Sequence, residues 1–158
     1  MPVTHALLME GGLVLHPSVS CVFLHGSRGP AGGCREDSDV DLSLVVDAPQ
    51  GDRAELAALL QGVIDTSLTN WKGQVELDLA VVFDVRGCGL VCFEQESWGS
   101  EDECALGGVD CFGLYKTQKG FAGFVEGGGV QVRLMHPCTV IWQRHQSPSC
   151  GAISREIG

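Results

Sequence analysis

The chain is poor in positive charge, with 10 Lys and Arg against 20 Asp and Glu and a formal net charge of −10. A surface of that sign repels polyanions, so nucleic acids and anionic membranes are poor default partners. Long apolar runs are missing too, since none approaches the roughly 18 residues that cross a bilayer. No Lys or Arg precedes Arg28, so the basic region of a signal peptide is lacking. We therefore expect a cytoplasmic protein without a membrane association.

Paired C-x2-C knuckles, which are typical of structural zinc sites, are absent although the chain has eight cysteines. Cys21 lies in an apolar, strand-like run, where a reduced cysteine behaves as a small hydrophobe. Buried or idle reduced thiols are the favoured interpretation. The alternatives are disulfides and a metal site formed by the cysteines at 88, 92, 104 and 111.

No internal repeat and no domain boundary is visible along the chain. With 158 residues, 44% of them hydrophobic, it is long enough to bury one apolar core. We expect a single domain over residues 1–145, whose motifs fall within 5–85, followed by a loose C-terminal tail over 146–158.

The first half of the sequence alternates between predicted helices and strands. Residues 4–16 predict a short helix that breaks at a glycine pair, and 53–68 predict a second helix that starts with the capping residues Asp52 and Glu55. Strands are predicted at 19–25, 39–47 and 75–84. This order predicts an α/β or α+β fold, a small mixed β-sheet with helices packed mainly on one face.

The second half has a weaker pattern. Residues 94–103 predict an acidic loop, and 110–125 fit either a helix or two short strands interrupted by glycine. Further strands are predicted at 130–135 and 139–145, with Pro137 marking a bend or an edge position between them.

Two carboxylates stand one residue apart at the start of the second predicted strand, after a Gly-Ser pair and a glycine-rich loop. The period of two places Asp39 and Asp41 on one face, roughly 6.5–7 Å apart at Cα. Carboxylates so spaced can converge on Mg²⁺, which prefers oxygen ligands and often keeps substrate phosphates in its shell. Asp78, inside the apolar third strand, is a candidate third ligand because an acid there needs a partner. Asp39 and Asp41 have an alternative interpretation as exposed acids at the start of a strand. Asp78 and its neighbour Glu76 are alternatively the exposed residues of a strand with one solvated face.

The Gly26–Ser27 pair, the eleven residues before Asp39-x-Asp41 and the later Asp78 resemble the signature of DNA polymerase beta-like nucleotidyltransferases, most closely their minimal type. The resemblance covers roughly residues 5–85. It implies that Gly26 and Ser27 bind the nucleotide and that the three aspartates are catalytic ligands of two Mg²⁺ ions. The reaction it implies is transfer of a nucleoside monophosphate from an NTP, such as ATP, to a hydroxyl of a protein side chain or a small molecule.

Other functions fit the same residues. The chain is alternatively a non-catalytic module that binds NTP and acts with a helical partner protein, as in toxin–antitoxin pairs, or an interaction protein stabilised by zinc. Arg28 is a candidate for contacting phosphate or for capping its loop. Three further cations are candidate partners of a triphosphate: Lys116, Lys119 and Arg133.

Overall fold

The computed structural model describes residues 2–47, 49–85, 112–118, 120–125 and 137–144. The strand predicted at 130–135, the acidic loop at 94–103 and the tail over 146–158 lie outside these residues. So do the cysteines at 88, 92, 104 and 111, which leaves the zinc alternative a prediction.

Two helices and six strands form the described part of the chain. The helices are α1 (Pro2–Glu10) and α2 (Arg53–Asn70), and a short 3-10 turn spans Gly26–Arg28. The strands are β1 (Val19–His25), β2 (Val40–Val46), β3 (Leu77–Asp84), β4 (Phe112–Gln118), β5 (Phe121–Val125) and β6 (Thr139–Gln143). They form one mixed sheet in the order β5-β4-β3-β2-β1-β6. The predicted class, a small mixed sheet with helices, is confirmed.

Only β2 and β3 run parallel, because α2 connects them and returns the chain to the same end of the sheet. All other neighbours in the sheet are antiparallel. The helix α2 begins as the sequence predicts, since Asp52 accepts a hydrogen bond from the backbone of Glu55 (2.9 Å) and the Glu55 side chain accepts one from the backbone of Asp52 (3.2 Å).

The segment at 110–125 forms two strands rather than a helix. In β4, Phe112 and Leu114 pack into the apolar cluster on one face of the sheet and Tyr115 packs into the cluster on the other. The chain reverses at Gly120, whose φ of 75° lies in the left-handed region that glycine tolerates best. The segment forms strands because its side chains alternate, with a period of two residues, between the two faces of the sheet.

One face of the sheet carries the main core. The inward residues of α1 and α2, among them Leu8, Leu60 and Ile64, pack on alternate residues of β1, β2 and β3. The other face holds a smaller apolar cluster of Phe23, Val45, Ala80, Val82, Phe112, Leu114 and Cys138. Within the described residues, no helix is long and apolar enough to span a membrane.

Candidate metal centre

Three carboxylates converge at the start of β2 and β3, on the face opposite the helices. Asp41 on β2 lies directly across from Asp78 on β3 in the parallel register, and Asp39 precedes β2 by one residue. One oxygen atom from each of the three side chains lies within 4.8 Å of the others. The structure thus brings the three predicted acids together. Glu76, two residues before Asp78, is exposed and does not belong to this group.

The local sequence explains the convergence. In β2, residues 40, 42, 44 and 46 are apolar and buried, so the period of two leaves Asp41 on the opposite face. In β3, the buried Leu77, Leu79 and Val81 place Asp78 on that same face. The hydrogen bond from the backbone of Val40 to the carbonyl of Glu76 (2.9 Å) holds the two strands in register up to their first residues.

The carboxylates repel one another in the absence of a cation. The pKa of Asp41 rises from 3.8 to about 6, first because the group is partly buried and then because Asp39 and Asp78 carry like charge. Burial also raises the pKa of Asp78, with a further contribution from Asp39. Lys116 lowers the pKa of Asp78, whereas Glu76 raises it further. A bound cation would relieve this repulsion.

The donor set fits Mg²⁺. Magnesium takes hard oxygen ligands at about 2.1 Å, so two oxygens on opposite sides of one ion are roughly 4.2 Å apart. A spread of at most 4.8 Å is therefore close to the span of one ion, and small side-chain rotations would bring the oxygens into its shell.

Gly26 lies against the acid cluster at the end of β1. Its φ is 68°, and a Cβ atom at this position would collide with the Oδ2 atom of Asp41. Both observations favour glycine here over any residue with a side chain. Gly26 and the half-buried Ser27 begin the 3-10 turn, so their small side chains leave room beside Asp41 for a ligand.

Arg28 holds the loop that joins β1 to β2. Its side chain is 6% exposed and donates to the carbonyl oxygens of Ser38 (2.8 Å), Glu36 (3.0 Å) and Arg35 (3.2 Å). These contacts draw residues 35–38 onto the turn and so place Asp39 beside Asp41. They match the loop-capping alternative, while a contact between Arg28 and a nucleotide stays a prediction. Ser38 also shapes the loop, since its Oγ accepts from the backbone of Arg35 (2.8 Å).

A polar pair that the sequence analysis did not identify lies beside the acids. His25 is directly across from Asp41 in the β1–β2 register, and its Nε2 atom is 3.0 Å from the Oγ of Ser43. Burial lowers the pKa of His25 to about 4, so the imidazole is neutral near pH 7. The only signal in the sequence was the position of His25 next to Gly26, which by itself does not distinguish a structural histidine from a functional one.

A scan against protein-family models found no match, and a search of curated proteins found none either. The resemblance to nucleotidyltransferases therefore depends on the motif residues and on the arrangement described above.

Proposed function

We propose that the protein is a Mg²⁺-dependent nucleotidyltransferase. The observation that carries the proposal is the convergence of Asp39, Asp41 and Asp78 beside Gly26, where a positive φ and the close contact with Asp41 disfavour any side chain. An acid cluster on a solvated strand start has no need of a close glycine turn, whereas a site for a metal-bound triphosphate needs both. Mg²⁺ bound by the three carboxylates would neutralise the charge that develops on the α-phosphate and on the leaving pyrophosphate.

The reaction converts an NTP and a hydroxyl compound into a nucleotidylated product and pyrophosphate. A bond forms between the acceptor oxygen and the α-phosphorus, and the bond from that phosphorus to the bridging oxygen of the β-phosphate breaks. The bonding electrons leave with pyrophosphate, and the hydroxyl proton passes to Asp78 or to water.

The other residues have supporting roles. We assign Gly26 and Ser27 to the β- and γ-phosphates, because their small side chains allow the backbone to approach an anion closely. Arg28 holds the loop so that Asp39 reaches the cluster. The neutral His25 and its partner Ser43 fill the space next to Asp41 without adding charge.

Transfer from an α-labelled NTP tests the proposal. The purified chain is incubated with Mg²⁺, each of the four labelled NTPs and a cell extract that supplies acceptors. We expect label on an acceptor and a decrease of about a thousandfold in Asp41→Asn, since metal-ion catalysis is worth several kcal/mol and each 1.36 kcal/mol is a factor of ten. Asp37→Asn is the matched control, because Asp37 is exposed and lies two residues before the cluster.

The same experiment separates the alternatives. Equal labelling with Asp41→Asn and with the unchanged chain would refute catalysis at this site. Binding of NTP that requires Mg²⁺, with no labelled acceptor in any extract, would favour a non-catalytic module that acts with a partner protein. Glu76→Gln should leave transfer near the level of the Asp37→Asn control, because Glu76 lies outside the cluster.

A further inference from the structure

Lys116 lies on the same face and at the same end of the sheet as the three acids. It is directly across from Ala80 in the antiparallel β3–β4 register, and Asp78 is two residues from Ala80 on the same side of β3. Diagonal neighbours of this kind are roughly 7–8 Å apart, within the reach of a lysine side chain.

The sheet order separates Lys116 from the glycine turn. Across the sheet, from one strand to the next, the groups follow in the order Lys116 on β4, Asp78 on β3, Asp41 on β2 and the turn that follows β1. Neighbouring strands are about 4.8 Å apart, so Lys116 and the turn occupy opposite flanks of the acid cluster. A triphosphate held at Gly26–Ser27 therefore extends on the flank away from Lys116.

The direction of attack assigns the Lys116 flank to the acceptor. In phosphoryl transfer the entering oxygen and the leaving oxygen lie roughly in line on opposite sides of the phosphorus. If pyrophosphate leaves toward Gly26–Ser27, the acceptor hydroxyl enters from the side of Asp78 and Lys116. This step relies on the nucleotidyltransferase function proposed above.

The other cations of the described residues are engaged or lie elsewhere. Arg28 donates to loop carbonyls, Arg35 pairs with Asp37 (3.4 Å) and Arg53 lies over the ring of Phe124 (4.5 Å to the centroid). Arg144 pairs with Asp47 (3.3 Å). A protein with a formal net charge of −10 repels an anionic acceptor at long range, so a cation beside the site has a large influence on which acceptors bind.

We propose that Lys116 binds an anionic group of the acceptor. The acceptor is then a hydroxyl compound that carries a phosphate or a carboxylate near the hydroxyl, rather than a neutral sugar or alcohol. The alternative is that Lys116 only offsets the repulsion among the acids. The two roles differ in a measurable way, because charge compensation acts on metal affinity and acceptor binding acts on anion affinity.

The test uses inorganic phosphate and acetate as probes of the acceptor flank. The full chain is first loaded with Mg²⁺ and an NTP analogue that resists transfer, and this binding is measured by calorimetry. Failure at this stage counts against the proposed function itself. The loaded protein is then titrated with phosphate or with acetate, and backbone amide NMR shifts on β3 and β4 are followed.

We expect saturable binding of at least one of the two anions, with shifts centred on Lys116. Lys116→Gln should weaken that binding by about tenfold or more, since a charge-assisted hydrogen bond is lost. Lys116→Arg should retain most of it, and Lys72→Gln, a change at an exposed lysine in the α2–β3 connection, should have no effect. Stronger binding of phosphate or of acetate would identify the acceptor group.

Equal anion affinity in Lys116→Gln and in the unchanged protein would overturn the proposal, as would shifts centred on Gly26–Ser27. A variant that binds Mg²⁺ more tightly but keeps its anion affinity would assign Lys116 to charge compensation alone. Retained nucleotide binding by Lys116→Gln shows that the variant is folded.

Discussion

Two cross-strand pairs on one face of the sheet have opposite physical character. Val45 lies across from Val82, and both are buried in the smaller apolar cluster. Four residues closer to the start of the same strands, Asp41 lies across from Asp78. The valine pair stabilises the sheet by burial, whereas the acid pair opposes folding, because burial and like charge raise the pKa of both aspartates.

The sheet tolerates the repulsive acid pair because apolar side chains are buried elsewhere on the same strands. Complete burial of one valine is worth about 1.5–3 kcal/mol, and like charges directly across a strand pair cost up to about 1 kcal/mol. One apolar pair at the far end therefore offsets the acid pair. The helix face adds a much larger core that both ends of the strands share. The acids can thus converge without endangering the fold.

Introducing an acid into the valine pair is expected to have the largest effect on the stability of the protein. Val82→Asp would bury a carboxylate among apolar side chains with no partner, since Val82 is 0% exposed. We expect a loss of about 4 kcal/mol or more in the free energy of unfolding, enough to unfold a domain of this size. Amide NMR dispersion and urea denaturation measure the effect.

The matched change at the other end is Asp78→Val, which introduces the β-branched residue of the apolar pair into the acid pair. We expect this variant to fold and to be at least as stable as the unchanged, metal-free protein. A folded Val82→Asp together with an unfolded Asp78→Val would reverse the interpretation of the two ends.

The loop beside the acid end is held by hydrogen bonds instead of apolar contacts, and Arg28→Ala should show this. The variant loses three hydrogen bonds from a buried guanidinium, while the exposed Arg35 and Glu36 can turn their carbonyls to water. We expect the free energy of unfolding to fall by about 2 kcal/mol. Magnesium affinity, measured by calorimetry, should fall as well because Asp39 is no longer fixed.

Arg35→Ala is the control for that variant. The Arg35 side chain is 82% exposed and pairs only with Asp37 within the described residues, so its removal should change stability by less than about 0.5 kcal/mol. Equal destabilisation by the two changes would mean that Arg28 does not hold the loop.

The sequence predicts the central part of the fold because apolar periodicity is strong there. The strand predicted at 19–25 matches β1, and the acids predicted to share a face do so, since alternate residues of β2 and β3 are buried under the helices. The bounds of two neighbouring strands differ slightly from the prediction: β2 covers Val40–Val46 rather than 39–47, and β3 begins at Leu77 rather than at residue 75.

Contacts between distant segments were not predictable from pattern alone. The loop-holding role of Arg28 depends on where residues 35–38 fold back, and nothing in their sequence fixes that. Lys116 lies on the side of the acids only because of the register of β3 with β4, and residues 85–111 separate these strands in the sequence. A shift of one residue in this register would place Lys116 on the helix face. Three-dimensional pairing therefore decides which cation lies beside the acids.

The smallest expected effect is a gain in stability from Asp41→Asn. In the metal-free folded protein the pKa of Asp41 is about 6, against 3.8 in the unfolded chain. The folded state therefore binds this proton more tightly, and the free energy of unfolding falls as pH rises from about 4 to about 6. Asparagine has no ionisable group, so the Asp41→Asn variant does not lose this part of its stability as pH rises. We expect the variant to be more stable by about 1 kcal/mol at pH 7.5 in chelator, a value reduced for solvent screening.

Thermal or urea denaturation across pH checks the expectation. The difference between the variant and the unchanged protein should vanish below pH 4, where Asp41 is protonated in both states. Mg²⁺ at pH 7.5 should stabilise the unchanged protein more than the variant and so reverse their order, because the cation replaces the proton as the partner of the carboxylate. Asp37→Asn, whose side chain is 78% exposed, should follow the unchanged protein in both series. Parallel pH profiles for Asp41→Asn and the unchanged protein would show that folding does not raise the pKa of Asp41, so that neither burial nor like charge destabilises the acid pair.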